Sequence, residues 1–339
     1  MGNDITIICG SNREEHLVKD RVKIAFCPNP SLIPQSFWKL GNSKMVQELV
    51  KLHRQVDIVQ CELSYMFPLS SVSKLIGKPL VLDEHGVEAI HFRDVSYNIA
   101  PSRTKAGLVY LLEKIALKYS TMIFACSKVD AEKICQLFKI PPPKVAVIPN
   151  GVESSFFEKI QPFEYSQPTV LFLGGVGHPP NRDAIEKLLQ EIIPFVLTQM
   201  KRVQFSFVGR NDGYPLISSE NVVVHGQVND VRPYIYGSDI CVAPIYHGTG
   251  TRLKILEYMA CGKPVVATSK AVEGLEEVSD GENIIIRDET KDFSQAIVEL
   301  LNDESERKKI GRAGLQLVKQ KYNWQDIAKK VMKCYTQIS

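Results

Sequence analysis

Short β-branched runs alternate with longer amphipathic segments along nearly the whole chain, and this alternation restricts the fold more than any other feature. Parallel strands need a crossover long enough to pass over their sheet, usually a helix, so such a chain folds as successive βαβ units. In the first half, strands are expected at Ile5–Cys9, Val22–Phe26, Val56–Cys61, Pro79–Asp83, Met122–Cys126 and Val145–Ile148, with helices at Lys44–His53, Lys105–Tyr119 and Lys128–Phe138. In the second half, strands fall at Val170–Leu173, Gln204–Val208, Val222–Val224, Ile240–Ala243, Val265–Thr268 and Asn283–Ile286. Its helices fall at Arg182–Leu197, Thr251–Cys261, Phe293–Leu301, Ser305–Lys319 and Trp324–Tyr335.

Pro149 to Pro168 is rich in Pro, Gly, Ser and Phe and keeps no sustained period, which marks an interdomain connection. The expected architecture is therefore α/β, with two Rossmann-like parallel-sheet domains facing a cleft. Residues 1–150 form the first domain, 151–167 the linker, 168–321 the second domain, and 322–339 a C-terminal helix packing back on the first. Ligands of open parallel sheets sit beyond the carboxyl ends of the strands, so those ends are where chemistry is sought.

The 339 residues, 44% of them hydrophobic, suffice for two cores in a soluble globular protein. Lys+Arg 41 against Asp+Glu 38 leaves a net charge of +3, with none of the concentrated basic stripe a nucleic-acid partner requires. Cys9, Cys27, Cys61, Cys126, Cys135, Cys241, Cys261 and Cys334 are scattered, with no C-x-x-C and no zinc spacing. Buried reduced thiols fit them best, and with them a cytoplasmic compartment. No apolar stretch nears the roughly 20 residues needed to cross a bilayer, and no signal-peptide pattern opens the chain.

The segment with the most chemical content runs from Pro244 to Glu276. Gly248 and Gly250 follow an apolar strand, and a helix is expected to open near Thr251 with Arg252 and Lys254 in its first turn. A glycine-permissive turn feeding a helix start leaves outward N–H groups, which together with the helix dipole favour an anion. Arg252 adds a forked cation suited to phosphate oxygens. Glu257, further along the helix, can accept hydrogen bonds from the vicinal hydroxyls of a ribose. The turn Ala271–Gly274, containing Glu273, lies where a sugar pocket would be lined. The plainer alternative is that Lys254 and Glu257 form an exposed ion pair worth a few tenths of a kcal/mol.

At these residues the chain resembles glycosyltransferase family 4, the retaining enzymes of the GT-B fold. Val147–Glu153 is similar to the family's interdomain signature, and Phe172–Ile185 to the first strand and turn of the donor domain, with Gly174 and Gly175. Phe207–Arg210 with Gly209, Val224–Asp230 with Val228, and the segment ending at Asp239 resemble the later strands and the loop lying on the nucleobase. Tyr322-Asn-Trp324 is similar as well. The family carries a Glu, seven residues, Glu motif. Glu257 matches the second Glu, implying a role on the nucleotide ribose. Thr249 stands where the first would be, so the resemblance implies a hydroxyl beside the donor sugar there, not a catalytic carboxylate. Many members place a basic pair after the first donor-domain strand to hold the diphosphate. Here that stretch offers Gly175 and Asn181, leaving Arg252 and Lys254, and more weakly Arg182, to compensate.

In the acceptor half, Asp83-Glu-His-Gly-Val-Glu88 resembles the family segment whose His approaches the donor sugar. The resemblance makes His85 a cleft residue that orients the reacting sugar, with Glu62 and Glu88 as acceptor-side candidates. The beginning of the chain resembles the family's second strand, so a first strand-turn-helix unit of roughly thirty residues is expected to be missing.

The implied reaction moves a hexosyl unit from a UDP- or GDP-sugar to a hydroxyl acceptor, a glycan or a lipid-linked one. It proceeds with retention and no metal or other cofactor, and domain closure excludes water. Two alternatives stay open, a nucleotide-sugar 2-epimerase and a non-catalytic nucleotide-sugar-binding remnant or subunit. Thr104–Tyr119, with Lys105, Lys114 and Lys118, reads first as a helix packed on its own sheet. A peripheral contact with the inner face of the cell membrane is the second reading.

Overall fold

The computed structural model describes residues 4–11, 15–19, 21–28, 43–64, 72–95, 102–211, 213–214 and 218–339. Met1 to Asn3, part of the early strand segment, and the side chain of Lys105 lie outside the described residues. The chain divides into two units, Met1–Ile148 with Val331–Ser339, and Pro149–Lys330.

In the first unit, β1 (Ile5–Ser11) runs parallel to β3 (Val22–Pro28), and β2 (Glu15–Lys19) pairs antiparallel with β3. β2 escapes the sequence reading because Glu15-His16-Leu17-Val18-Lys19 holds only a short apolar pair between charged ends. Beyond α1 (Ser43–Leu52), four strands form a parallel sheet in the order of the chain. These are β4 (Val59–Glu62), β5 (Leu80–Glu84), β6 (Met122–Ala125) and β7 (Val145–Val147). Between them come α2 (Val72–Leu75), α3 (Glu88–Val95), α4 (Ser102–Tyr119) and α5 (Lys128–Phe138). Leu80, Leu82, Leu117, Ile123, Ile134 and Phe138 share the core beneath this sheet. α5 starts where its cap directs it, with the Ser127 hydroxyl accepting the Asp130 N–H. Among the described residues no helix is long and apolar enough to cross a membrane.

The second unit is built on six parallel strands: β8 (Thr169–Leu173), β9 (Gln204–Val208), β10 (Val222–Gly226), β11 (Ile240–Ala243), β12 (Val265–Ala267) and β13 (Ile285–Ile286). Their spatial order is β10-β9-β8-β11-β12-β13. β8, β11 and β12 are buried at every residue, which is why they read as unbroken apolar runs. The chain winds outward from β8 in one direction and from β11 in the other. The reversal between these neighbours is the switch point at which an open α/β sheet leaves a crevice beyond its carboxyl ends.

The helices at Val72–Leu75, Glu88–Val95 and Arg232–Gly237 are absent from the sequence reading, and two helices that it does contain take a different course. The span expected as one helix is divided into α6 (Pro179–Lys187), a π-turn over Leu188–Ile192, and α7 (Ile193–Gln199). Pro194 has no N–H to offer the preceding turn, and the ladder widens so that the Ile193 N–H reaches the Leu188 carbonyl. After α8 (Arg232–Gly237), α9 spans Leu253–Ala260 and starts later than Thr251. Arg252 is therefore its cap in extended backbone, φ −85° and ψ 92°, and not part of its first turn. α10 (Thr290–Asn302), α11 (Glu304–Lys321) and α12 (Trp324–Ile338) close the chain. The far end of α12 belongs to the first unit, where Val331, Cys334, Tyr335 and Ile338 pack on Val81, Met122 and Phe124.

Candidate functional site

The carboxyl ends of β8, β9 and β10 are stripped to backbone. A Cβ on Gly209 would lie 2.4 Å from the Gly174 carbonyl oxygen, and one on Gly174 would lie 2.8 Å from the Asn181 side chain. Only glycine permits this approach, in which the Gly174 N–H donates to Val208 O at 2.9 Å and the Gly209 N–H to Gly226 O at 2.9 Å. The space left open is a cavity of about 280 Å³ bordered by Gly174, Gly209, Gln227, Val228, Lys254 and Glu257. Of the residues singled out in the sequence, Gly174, Gly209, Val228, Lys254 and Glu257 thus meet around one volume.

α9 supplies the charged wall. It is fixed to the sheet by Tyr258, whose fully buried hydroxyl accepts the Leu173 N–H at 2.7 Å. Lys254 Nζ donates to Asn181 Oδ1 at 2.8 Å and stands 4.3 Å from the centre of the Phe172 ring. Burial, and then the Arg252 charge, pull the Lys254 ammonium down to about 7, with Glu257 opposing. Burial pushes the Glu257 carboxyl upward, Lys254 pulls it back, and Glu153 adds to the rise. An exposed Lys254–Glu257 ion pair does not describe these residues, because the ammonium is committed to Asn181.

The loop before α9 is closed by its own arginine. Arg252 donates through one terminal nitrogen to Thr249 O at 2.5 Å and Gly250 O at 2.6 Å, and through the other to His247 O at 3.0 Å. Gly248 and Gly250 take φ of 96° and 79°, which turns those carbonyls onto the guanidinium. The forked donor expected to face a phosphate thus organises the loop. Thr249 and Thr251 are half-buried in this loop, and the Thr251 hydroxyl is buried with no hydrogen-bond partner among the described residues. Glu273 pairs with Lys270 at 2.5 Å. Gly175 offers its carbonyl to Asn181 Nδ2 at 3.1 Å. Gly175, Thr249, Gly250, Thr251, Arg252 and Glu273 are not among the residues that border the cavity.

Gln227, inside the segment Val224–Asp230 but not singled out in it, and Val231, just beyond that segment, border the cavity too. Asn181 was noticed only as a residue without charge. Its 73-residue separation from Lys254 hides the contact.

In the first unit, the ends of β4 and β5 bring together Glu62, Asp83 and His85. His85 Nε2 lies 2.9 Å from Glu62 Oε2, and Gln60 Nε2 donates to Glu62 Oε1 at 2.7 Å and to Asp83 Oδ2 at 3.3 Å. The hydrogen bond to Glu62 raises the His85 imidazole, against burial, with the Asp83 charge adding to the rise. Burial alone would raise Glu62, but hydrogen bonds from His85 and Gln60 hold it below the usual carboxylate range. Asp83, pressed by burial and by the Glu62 charge, rises to about 6. One ligand atom from each of the three lies within 4.8 Å of the others, an arrangement that can accept a cation or a sugar hydroxyl. Glu88 opens α3, and its N–H, with that of Ala89, donates to the buried Glu113 carboxylate at 3.0 and 2.8 Å. Glu113 therefore sets the course of the backbone just after His85.

Residues 1–156 match the family model for Glycosyltransferase Family 4, and residues 167–303 that for Glycosyl transferases group 1. The chain belongs to glycosyltransferase family 4. It is accordingly a hexosyltransferase by class. This glycosyltransferase is 29% identical over 205 residues to the phosphatidyl-myo-inositol mannosyltransferase of Mycobacterium leprae, a match covering 57% of this chain and 53% of that protein. The sucrose-phosphate synthase of Thermosynechococcus elongatus superposes with a TM-score of 0.77 at 18% identity, covering 98% of this chain and 88% of that one. Anabaena HepE in complex with UDP-glucose gives 0.72 at 15% identity, covering 98% and 99%. At such identities these two likenesses establish the GT-B fold.

Proposed function

We propose that this glycosyltransferase moves a hexosyl unit, with retention and without a metal ion, from a UDP- or GDP-sugar to a hydroxyl of a glycan or lipid-linked acceptor. The observation that carries the reading is the pairing of Glu257 and Lys254 at one cavity beyond the strand ends. A carboxylate suits a ribose diol, an ammonium suits a diphosphate, and the backbone-only floor at Gly174 and Gly209 admits a nucleotide closely. The M. leprae relative is named for mannosyl transfer to a phosphatidylinositol, and the HepE structure holds UDP-glucose, which supports a nucleotide-sugar donor and a lipid-linked acceptor.

In this reading Glu257 grips the ribose and Lys254, with the N–H groups of the loop before α9, offsets the charge growing on the departing diphosphate. His85, held by Glu62, orients the sugar hydroxyls, and Thr249 contributes a hydroxyl beside the donor sugar. Val228 lies on the nucleobase. Arg252 acts indirectly, by shaping the loop and adding to the positive field.

A lipid-linked acceptor calls for contact with a membrane. α4 buries Glu113, Ala116 and Leu117 on one face and turns Leu108 and Leu111, 45% and 51% exposed, outward on another. Tyr119 lies on that outer face beneath Lys74 Nζ, 4.4 Å from its ring centre. An apolar face edged by lysines fits an anionic lipid surface.

The deciding experiment is a thermal-shift series with UDP, GDP and their hexose conjugates. Stabilisation by one nucleotide and its sugars is expected, growing with ligand concentration as a site on the folded protein requires. If neither nucleotide raises Tm at millimolar concentration, the reading is wrong. The anomeric configuration of the product, read by NMR, tests retention.

A further inference from the structure

Asn181 uses both ends of its amide. Its Nδ2 donates to Gly175 O at 3.1 Å, and its Oδ1 accepts from Lys254 Nζ at 2.8 Å. The orientation is forced, because an ammonium only donates and a carbonyl only accepts. The Asn181 side chain also occupies the space where a Cβ on Gly174 would sit, so it is wedged against the floor of the cavity. Lys254 then rests between this amide and the face of Phe172, 4.3 Å away. A flexible four-carbon stem is thereby held in one place by two groups that carry no net charge.

We infer that Asn181 is a positioning residue for a diphosphate subsite. It fastens the Lys254 ammonium beside Gly174 without itself neutralising the charge, which is left to meet an anion. A carboxylate in the same place would fasten the ammonium equally well and would neutralise it. A residue serving only to tie α9 to the loop after β8 would gain from that carboxylate, since a charge-assisted hydrogen bond is the stronger tether. The amide at 181 therefore separates two purposes, holding the lysine and keeping its charge available. This inference rests on the nucleotide-sugar reading given above.

The charged groups bearing on Lys254 are Arg252, which disfavours its protonation, and Glu257, which favours it. A bound diphosphate adds negative charge and draws a proton onto the amine. Affinity for the diphosphate is accordingly expected to weaken as pH rises from 7 to 9, where the phosphates themselves no longer titrate.

The test compares UDP with uridine, and GDP with guanosine, by isothermal titration calorimetry on the full chain and on the variants Asn181→Asp, Asn181→Ala, Lys254→Met and Lys254→Arg. Thermal melts confirm that each variant is folded. The preference for the diphosphate over the nucleoside is expected to fall at least about tenfold in Lys254→Met and Asn181→Asp, with nucleoside affinity unchanged. Lys254→Arg is expected to recover part of it. The Asn181 changes should have little further effect in the Lys254→Met background, since both act through one ammonium. If nucleotides bind but Asn181→Asp keeps the wild-type preference and its pH dependence, the inference is overturned while the nucleotide reading stands. If the wild-type chain binds neither nucleotide, that reading falls and this inference falls with it.

Discussion

The hydroxyl of Tyr258 accepts the backbone N–H of Leu173 at 2.7 Å inside the core of the second unit, 85 residues away along the chain. This bond joins the middle of α9 to the end of β8, so the helix bearing Lys254 and Glu257 cannot shift relative to the strand bearing Gly174. Tyr258→Phe removes this acceptor from a buried N–H, at a cost of about 1–3 kcal/mol. Tm is expected to fall by several degrees, with nucleotide affinity falling too. An unchanged melt would show that the bond contributes nothing.

Glu257 is expected to distinguish ribose from deoxyribose. The wild-type chain should bind UDP or GDP about tenfold more tightly than the 2′-deoxy nucleotide, the value of one charge-assisted hydrogen bond at the low end of its range. Glu257→Gln should reduce that ratio and Glu257→Ala should abolish it. Calorimetry with the paired nucleotides provides the check.

Glu113 makes the fold sensitive to pH. Burial raises its carboxyl from 4.5 to about 7, against the hydrogen bonds from Ala89 and Glu88, so the folded chain holds a proton that the unfolded chain has lost in this window. Its contribution to stability is full below pH 4.5 and is lost as pH rises through about 7. Glu113→Gln should lower Tm overall, because an amide replaces one of the two acceptors of the α3 N–H groups, yet flatten its decline between these limits. Melts across pH 4 to 8 measure the slope.

The outer face of α4 is expected to bind vesicles. Replacing Leu108 and Leu111 together by Ser should lower co-sedimentation with anionic phosphatidylglycerol vesicles several-fold. Nucleotide binding should not change, since neither residue borders the cavity. Equal binding to neutral phosphatidylcholine vesicles would show that the lysines play no part.

Much of the candidate site was legible before any coordinates. Glu257, Gly174 and Gly209 sit in local patterns whose physics is local: a carboxylate in an apolar helix, and glycines where a strand ends. Arg252 was visible, but its place at the helix cap and its contacts within the loop were not. Its distance from Thr249, Gly250 and His247 is a few residues, yet the turn that closes them on its guanidinium depends on two positive φ angles no spacing rule announces. The late start of α9 follows from the same turn.

The alternation of apolar runs by itself determined the parallel second-unit sheet and the sites where its strands end, because burial on both faces and a 3.6-residue period leave a direct imprint on residue order. Tertiary structure alone decided that Asn181 meets Lys254, that Glu113 fastens the backbone after His85, and that Glu62 holds the imidazole. Each is a contact between residues 23 to 73 positions apart, formed by strand order and helix placement. Sequence records which groups a chain carries, and the packing of distant segments decides which of them share a dielectric and a hydrogen bond.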